Sequence, residues 1–539
     1  MDALVGNLPP AHLEGKSAMT WRLYLLLGLL GLGTVTLVAA FQPSPGYMDA
    51  DYYYAGGLQL VAGHGLYEPY LWNYLGNPAG LPYPSHAYWM PLASILAAAS
   101  AWLFGPGSWL AARIGFMVVA ALIPPLTAAL AWSFTARRDL ALTSGFLAVF
   151  PVFYLVFLPV TDTFGLYMLF GGLFFLTLNR KPSLLNPFLL GLLAGLMHLT
   201  RADGLLWLGI AALGDLFVIK RPTGKRFKFT IIYLLLTILG YLLIMVLWFI
   251  RNQAAFGTFL SPGGSKMLWL LSYDEMFSFP ASQLTLARWW QSGIQAITKI
   301  RLWALGINLE RTMAEQGEIF LLPLVGIGLW IMRKDRRVQL AGFAWLATFA
   351  AMTFAFPFAG ARGGFFHSGA ALQPIWWVVG PLGLEQVIVW AGRKRGWNIA
   401  QAGRIFRTGF VTLAALLTAV VAYGRGIGEI GRNSWGQEQV AYSQINTFLV
   451  QHGMEDNAVV MVANPPGFYL VSNNPAIAVP NGSLDTLLTV AEKYRAKYVV
   501  LEQGGVPSGL IPVYDHPEEQ AGIDYLGKVD GAQIYAIQP

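Results

Sequence analysis

Cysteine is absent from the 539 residues, and charged side chains make up only 12% of them. The first absence excludes disulfides, thiolate nucleophiles and cysteine-ligated metals, so any metal would have to use Asp, Glu or His. The second sets the class of protein. Soluble domains carry about 25% charged residues, whereas a 55% hydrophobic chain with so little charge lies mostly in a bilayer. Obvious internal repeats are missing as well, and no HExxH or other metal-ligand spacing occurs.

What is present is a series of long apolar runs, at 21–41, 109–134, 141–160, 164–178, 184–200, 203–219, 229–250, 316–332, 339–357, 372–390 and 408–425. A span needs about 20 such residues, so the pattern predicts a polytopic α-helical membrane protein of about eleven transmembrane helices. The first run follows a polar segment and exceeds the ~7–15 residues of a signal-peptide core, and it reads as an uncleaved span. A further run, 88–104, is decided by charge. If it spanned, Arg137-Arg138, Arg180-Lys181, Lys220 to Lys228, Arg333 to Arg337 and Arg393 to Arg407 would all face outward. Read as an interfacial or re-entrant helix, it places every one of them inside, as basic loops prefer. The net charge of +7 is then a topology signal, and no nucleic-acid partner is implied.

The expected organisation is a plasma-membrane protein with a cytoplasmic segment 1–20 and a membrane domain 21–425. Outer loops are expected at 42–108, 251–315 and about 358–371, and an extracytoplasmic domain at 426–539. That last region reads as a small α/β domain: a helix near Glu438–His452, a strand Ala458–Ala463, a turn at Asn464-Pro-Pro-Gly467, a helix near Leu484–Arg495, a strand Tyr498–Glu502 and a hairpin through Val529-Asp-Gly531. It contains no Rossmann fingerprint and no P-loop.

With this topology the unusual polar residues gather on one side. Asp49, Asp51, Tyr53, Glu68 and His86 belong to the first outer loop, and Asp162 sits at the outer end of the third span. Arg201 and Asp203 occupy the turn "LTRADGLL"; Arg251 and Lys266 open the second outer loop; Arg362 and His367 lie in the third. None has to sit at mid-membrane, where a transporter or proton pump places ionisable groups. Structural roles remain open for several of them. Asp162 and Asp203 suit helix caps, Arg251 and Lys266 suit interfacial anchors, the histidines suit ordinary loop positions, and Tyr52-Tyr53-Tyr54 suits an aromatic belt. The pair in "GYMDADYYYAGG" is harder to assign to structure: two carboxylates beside a membrane surface in a chain that has few.

The order of first span, acidic pair, "YYYAGGLQLVAGHGLYEPY", "LPYPSHAYWMP", a helix ending "WLFG" and "SWLAARIG" resembles the GT-C glycosyltransferases, as do "TRADGLL" and "RNQAAFGTFLSP". The branch most similar in pattern is that of the protein O-mannosyltransferases and aminoarabinose transferases. The resemblance covers roughly residues 20–375. It implies a GT-C-like fold and transfer of a sugar from a polyprenyl-phosphate donor to a protein, glycan or lipid acceptor on the extracytoplasmic side. It implies inversion with Asp49 or Asp51 as base, Asp162 near the site, and Arg201, Arg251, Lys266 and Arg362 as candidates for the donor phosphate. Tyr53, Glu68, His86, Asp203 and His367 are the remaining candidates for the substrate pocket. The relatives carry adjacent acidic residues, whereas Ala50 separates the aspartates here, and the lysine-proline-proline motif of the aminoarabinose branch is missing. No cofactor is required by this reading, although Asp49 and Asp51 together suggest a divalent cation. Two competing functions are a transporter or flippase of lipid-linked glycans, which calls for internal symmetry and charges within spans, and a non-catalytic assembly or binding protein, which calls for dispensable aspartates.

Overall fold

The computed structural model describes residues 18–178, 183–218, 223–426 and 435–538. The expected Arg180-Lys181 loop, the side chains of Lys220 to Arg226 and residues 1–17 lie outside the described residues. Helices of eight or more residues run, up to the long segment that ends at Phe256, as α1 (Trp21–Ala39), α2 (Met48–Val61), α3 (Leu92–Phe104), α4 (Trp109–Thr135), α5 (Arg138–Val149), α6 (Phe164–Leu178), α7 (Leu185–Thr200), α8 (Leu205–Val218) and α9 (Thr223–Phe256). There follow α10 (Ile294–Arg311), α11 (Leu322–Ile331), α12 (Arg336–Ala350), α13 (Gln373–Arg395) and α14 (Ile399–Gly426), then α15 (Gln437–Gln451), α16 (Pro465–Ser472) and α17 (Leu484–Tyr494).

Six helical stretches among the described residues are long and apolar enough to cross a membrane: α1, α4, 227–256 of α9, 336–355, 357–395 and α14. The chain is an integral membrane protein. The other five apolar runs fold as shorter helices, from 10 residues in α11 to 16 in α7. One cause is legible in the run 141–160. Phe150 precedes Pro151, whose ring disfavours helical geometry in the residue before it, so α5 stops at Val149 and the chain continues in short turns to Thr163. Those turns carry Asp162. α3, at 13 residues, extends about 20 Å, short of the ~30 Å hydrocarbon core, and Trp102, Leu103 and Phe104 at its end are exposed.

Segment 358–371, expected as a loop, is coiled into short helical turns broken at Gly363, where φ is +126°. Segment 251–315 is largely irregular until it forms the 18-residue α10. Close helix packing depends on glycine: a methyl placed on Gly191 of α7 would fall on the Thr237 carbonyl of α9, and one on Gly240 would fall on the Phe188 carbonyl. Ionisable groups do lie within helices of the bundle, contrary to expectation: Arg113 of α4, His198 of α7 and Glu385 of α13 are buried there, and α8 adds another. Asp215 of α8 is buried and accepts a hydrogen bond from Thr237 Oγ1 at 2.6 Å.

Eight short strands complete the fold: β1 (Tyr67–Glu68), β2 (Tyr70–Leu71), β3 (Tyr83–Pro84), β4 (Val459–Val462), β5 (Ala476–Ala478), β6 (Ala496–Leu501), β7 (Ile523–Val529) and β8 (Ala532–Ile537). β1 pairs with β3, and the other six form one sheet in the order β2-β5-β4-β6-β8-β7. Its first four strands are parallel and its last two antiparallel. Alternation along β4 sends Met461 to one face, with Leu487 and Val490 of α17, and Val460 and Val462 to the other, with Ile445 and Leu449 of α15. The expected turn at 464–467 instead starts α16, with the Asn464 side chain accepting from Gly467 N at 3.1 Å. The edge strand β2 comes from segment 42–108, so the C-terminal sheet is completed by a strand about 400 residues earlier in the chain.

Candidate active site

The site is built at the start of α2. The chain between α1 and α2 is pinned by Gln42, whose Nε2 donates to Val156 O at 2.7 Å and whose carbonyl accepts from Trp109 Nε1 and Arg113. Asp49 and Asp51 both fall in the first turn of α2, where the unpaired backbone N–H groups favour negative charge. Residues two apart on a helix differ by about 200° in direction. The two carboxylates consequently meet different surroundings.

Asp49, with its side chain 31% exposed, approaches His367, Oδ2 to Nε2 at 3.7 Å. The other ring nitrogen of His367 lies 3.6 Å from Asp162 Oδ1 and 3.1 Å from Thr163 Oγ1. The imidazole stacks on Phe164, centroids 3.9 Å apart. Asp162 is 1% exposed and is fixed by three donors, the Tyr47 hydroxyl and the Thr163 amide and hydroxyl. Carboxylate oxygens of Asp49 and Asp162 and a nitrogen of His367 lie within 4.8 Å of one another. Burial pushes the Asp49 carboxyl up to about 7, the charge of Asp162 adds to the rise, and Arg201 opposes it. Asp51 does not join this group. It is 7% exposed and accepts at 2.8 Å from Asn464 Nδ2 of the C-terminal region.

The expected cations separate into two sets. Arg201 is held by Asp203, Nε to Oδ1 at 2.9 Å, while Tyr167 donates to the other oxygen of Asp203. It acts electrostatically on Asp49, and so do both Arg201 and Asp49 on the buried Tyr53. Arg362 is exposed and lies over the Tyr273 ring, 4.2 Å from its centroid, and Tyr273 in turn is within range of Asp49. Arg251 instead clasps backbone, donating to Leu66 O and Ser85 O at 3.1 and 2.7 Å. Lys266 reaches Leu284 O at 3.4 Å. Neither is brought to Asp49 by these contacts.

Glu68 and His86 form a separate buried group with Tyr52. Burial raises Glu68 to about 8 and lowers His86 to about 3. The His86 ring is enclosed between the hydroxyls of Ser85 and Ser94, at 2.8 and 3.0 Å. The Tyr52-Tyr53-Tyr54 run is packed inside the protein, from 1 to 8% exposed, and is not an interfacial belt. An expected cation pair of Asp49 and Asp51 is likewise replaced: the trio that meets is Asp49, Asp162 and His367. Two carboxylates and one imidazole are a donor set for a divalent cation such as zinc or manganese, and the mutual repulsion of Asp49 and Asp162 is what a cation between them would relieve. Sequence reasoning missed Tyr47, Thr163, Asn464 and Glu438. Only the first two had a signal, as polar neighbours of the aspartates in "GYMDAD" and "TDTFG".

No protein-family profile and no curated protein sequence matches the chain. Solved structures do. The archaeal oligosaccharyltransferase AglB from Archaeoglobus fulgidus, in complex with an inhibitory peptide and a dolichol-phosphate, superposes with a TM-score of 0.54 at 14% identity, over 89% of this chain and 69% of that one. The same enzyme in complex with Zn and sulfate gives 0.54 at 14% identity, over 89% and 67%. ArnT from Cupriavidus metallidurans bound to undecaprenyl phosphate gives 0.54 at 12% identity, over 96% of this chain and 98% of that one. The chain has the fold of the GT-C membrane glycosyltransferases, as the motifs in its first 375 residues implied.

Proposed function

We propose that this protein is an inverting glycosyltransferase that moves a sugar from a polyprenyl-phosphate carrier to an acceptor hydroxyl, on the side of the membrane that holds segment 42–108 and the C-terminal sheet. The basic loops support an extracytoplasmic assignment for that side and a cytoplasmic N-terminus. The observation that carries the reading is the placement of Asp49. It is the partly exposed carboxylate of the Asp49, Asp162 and His367 group, at the start of a helix in a fold whose solved members include complexes with dolichol-phosphate and undecaprenyl phosphate.

In this mechanism Asp49 takes the acceptor proton as the acceptor oxygen attacks the anomeric carbon. The bond from that carbon to the carrier phosphate breaks, and its electron pair leaves on the phosphate oxygen. A base with a pKa near 7 is well matched to proton transfer at neutral pH. Arg201 and Arg362 would balance the charge of the departing phosphate, Arg201 being held by Asp203. Asp162 and Thr163 orient the His367 ring. A divalent cation held by Asp49, Asp162 and His367 would supply further positive charge at the leaving group.

The test is transfer from a panel of radiolabelled polyprenyl-phosphate sugars to membrane acceptors. Asp49→Asn is expected to lower the rate by about 10²–10⁴-fold, the usual range for a lost general base, with normal expression. Full transfer by that variant would overturn the assignment of Asp49. Preincubation with a chelator, followed by readdition of zinc or manganese, reports whether the trio works with a cation.

A further inference from the structure

On the side of α2 that carries Asp51, the structure holds a cavity of about 170 Å³. Its walls are the Pro43-Ser44-Pro45-Gly46 segment, Tyr54, Gly107 and Trp109, with Asp51 from α2 and Glu438 from α15. Asn464 Nδ2 donates to Asp51 Oδ2 and to Glu438 Oε1, 2.8 Å each, which holds the two carboxylates close together. Ser44 is 2% exposed, and its Oγ has no hydrogen-bond partner among the described residues. No basic side chain lines the cavity among those residues.

This is an acidic, partly aromatic chamber with a buried hydroxyl left unpaired. An unpaired buried polar group is costly, and each instance in a folded protein calls for a reason. Two carboxylates and one hydroxyl present three acceptors. A primary ammonium presents three N–H donors and no acceptor, and an aromatic ring such as that of Tyr54 suits a cation as well. A calcium-type ion fits less well, since it takes six to eight oxygen ligands. The nearby carbonyls of Ser44 and Gly107 already accept from Trp435 Nε1 and the Tyr54 hydroxyl. The cavity also has a definite depth. Trp109 opens α4, a helix of spanning length, and the side chains of Trp102, Leu103, Phe104 and Leu110 beside it are exposed and apolar.

We propose that this cavity binds the primary ammonium group of a ligand at the membrane surface, with Asp51, Glu438 and Ser44 as its three acceptors. The depth favours an aminophospholipid headgroup, and an amino sugar offers the same chemistry. The site stands apart from the Asp49 group, so it can be tested by binding alone, whatever the outcome of the transfer assay.

The experiment measures binding of glycerophosphoethanolamine and of glucosamine to the full chain in a detergent free of amines, by calorimetry, beside the N-acetylated form of each. Both Glu438→Gln and Ser44→Ala are compared with wild type, and thermal unfolding without ligand checks that each variant is folded. The expected result is that at least one amine binds ten times or more tightly than its N-acetylated form. Glu438→Gln is expected to weaken it at least tenfold, and Ser44→Ala by a smaller factor. Tighter binding of glycerophosphoethanolamine identifies a lipid headgroup as the source, and tighter binding of glucosamine identifies a sugar. Absence of amine binding to wild type, equal binding of the acetylated forms, or binding unchanged in both folded variants would overturn the proposal.

Discussion

Asp49 and Asp51 are chemically identical and two positions apart, yet helical geometry gives them different neighbours. Asp49 meets His367 and Asp162, whereas Asp51 meets Asn464. A pH profile follows from this. The proposed base has to be ionised, and in the metal-free protein burial together with Asp162 raises Asp49 to about 7. The rate of transfer at low substrate is expected to fall about tenfold per pH unit below pH ~7 and to level off above it. Initial rates from pH 5 to 9 check this, and a flat profile would remove Asp49 from the rate equation. Asp51→Asn, by contrast, is expected to keep transfer within about tenfold of wild type, because its carboxylate faces away from the trio; the same assay decides.

At the scale of elements, the membrane bundle depends on where helices lack side chains. Gly191 and Gly240 let α7 and α9 approach until backbone meets backbone, and packing at that distance admits no methyl group. Gly191→Ala is expected to destabilise the protein by about 1–3 kcal/mol, the usual range for overpacking, with a lower midpoint in thermal unfolding in detergent. An unchanged midpoint would mean that the two helices are free to separate. The contact between α15 and the sheet is expected to be sensitive to pH. Burial pushes Glu502 up to about 7, with Glu438 adding to the rise while the Ala463 amide and the Tyr442 hydroxyl oppose it. The folded state therefore keeps a proton that an unfolded carboxyl loses near pH 4, so this contribution is present below pH ~4 and is lost as pH rises through ~7. Hydrogen exchange along β4 and β6, compared at pH 5.5 and 8 after correction for intrinsic rates, is expected to show weaker protection at the higher pH.

The whole molecule is tied together by β2. This two-residue strand from the first long inter-helix segment adds to β5, and Ala476 N donates to Pro69 O at 3.2 Å. Neighbouring contacts act in the same direction: Tyr494 donates to Pro78 O at 2.7 Å, Gln59 donates to the Tyr469 hydroxyl at 2.7 Å, and the Tyr74 hydroxyl donates to Ala478 O. Substituting proline for Ala476 removes the donor from a strand that is paired on both sides. Ala476→Pro is expected to speed proteolysis of the C-terminal region and to reduce transfer at the same time. Loss of one without the other would show that the sheet and the Asp49 site work independently.

The amino-acid sequence by itself determined that this is a polytopic membrane protein with a small C-terminal α/β region, because long apolar runs and period-two strands are local patterns set by the solvent each residue prefers. It also singled out the pair Asp49 and Asp51, without choosing between them, since carboxylates in a chain with so little charge stand out, and the order of short motifs pointed to the GT-C fold. Other features are products of tertiary structure. His367 reaches Asp49 across more than 300 residues of chain, and no local pattern encodes such a distance. Arg251 and Lys266 looked like candidates for the phosphate because they are cations near a membrane edge, but their partners are backbone carbonyls supplied by distant loops. The different surroundings of Asp49 and Asp51, and the joining of β2 to a sheet formed at the other end of the chain, were decided by packing: which face of α2 each carboxylate occupies has meaning only once the bundle and the C-terminal sheet enclose that helix from two sides.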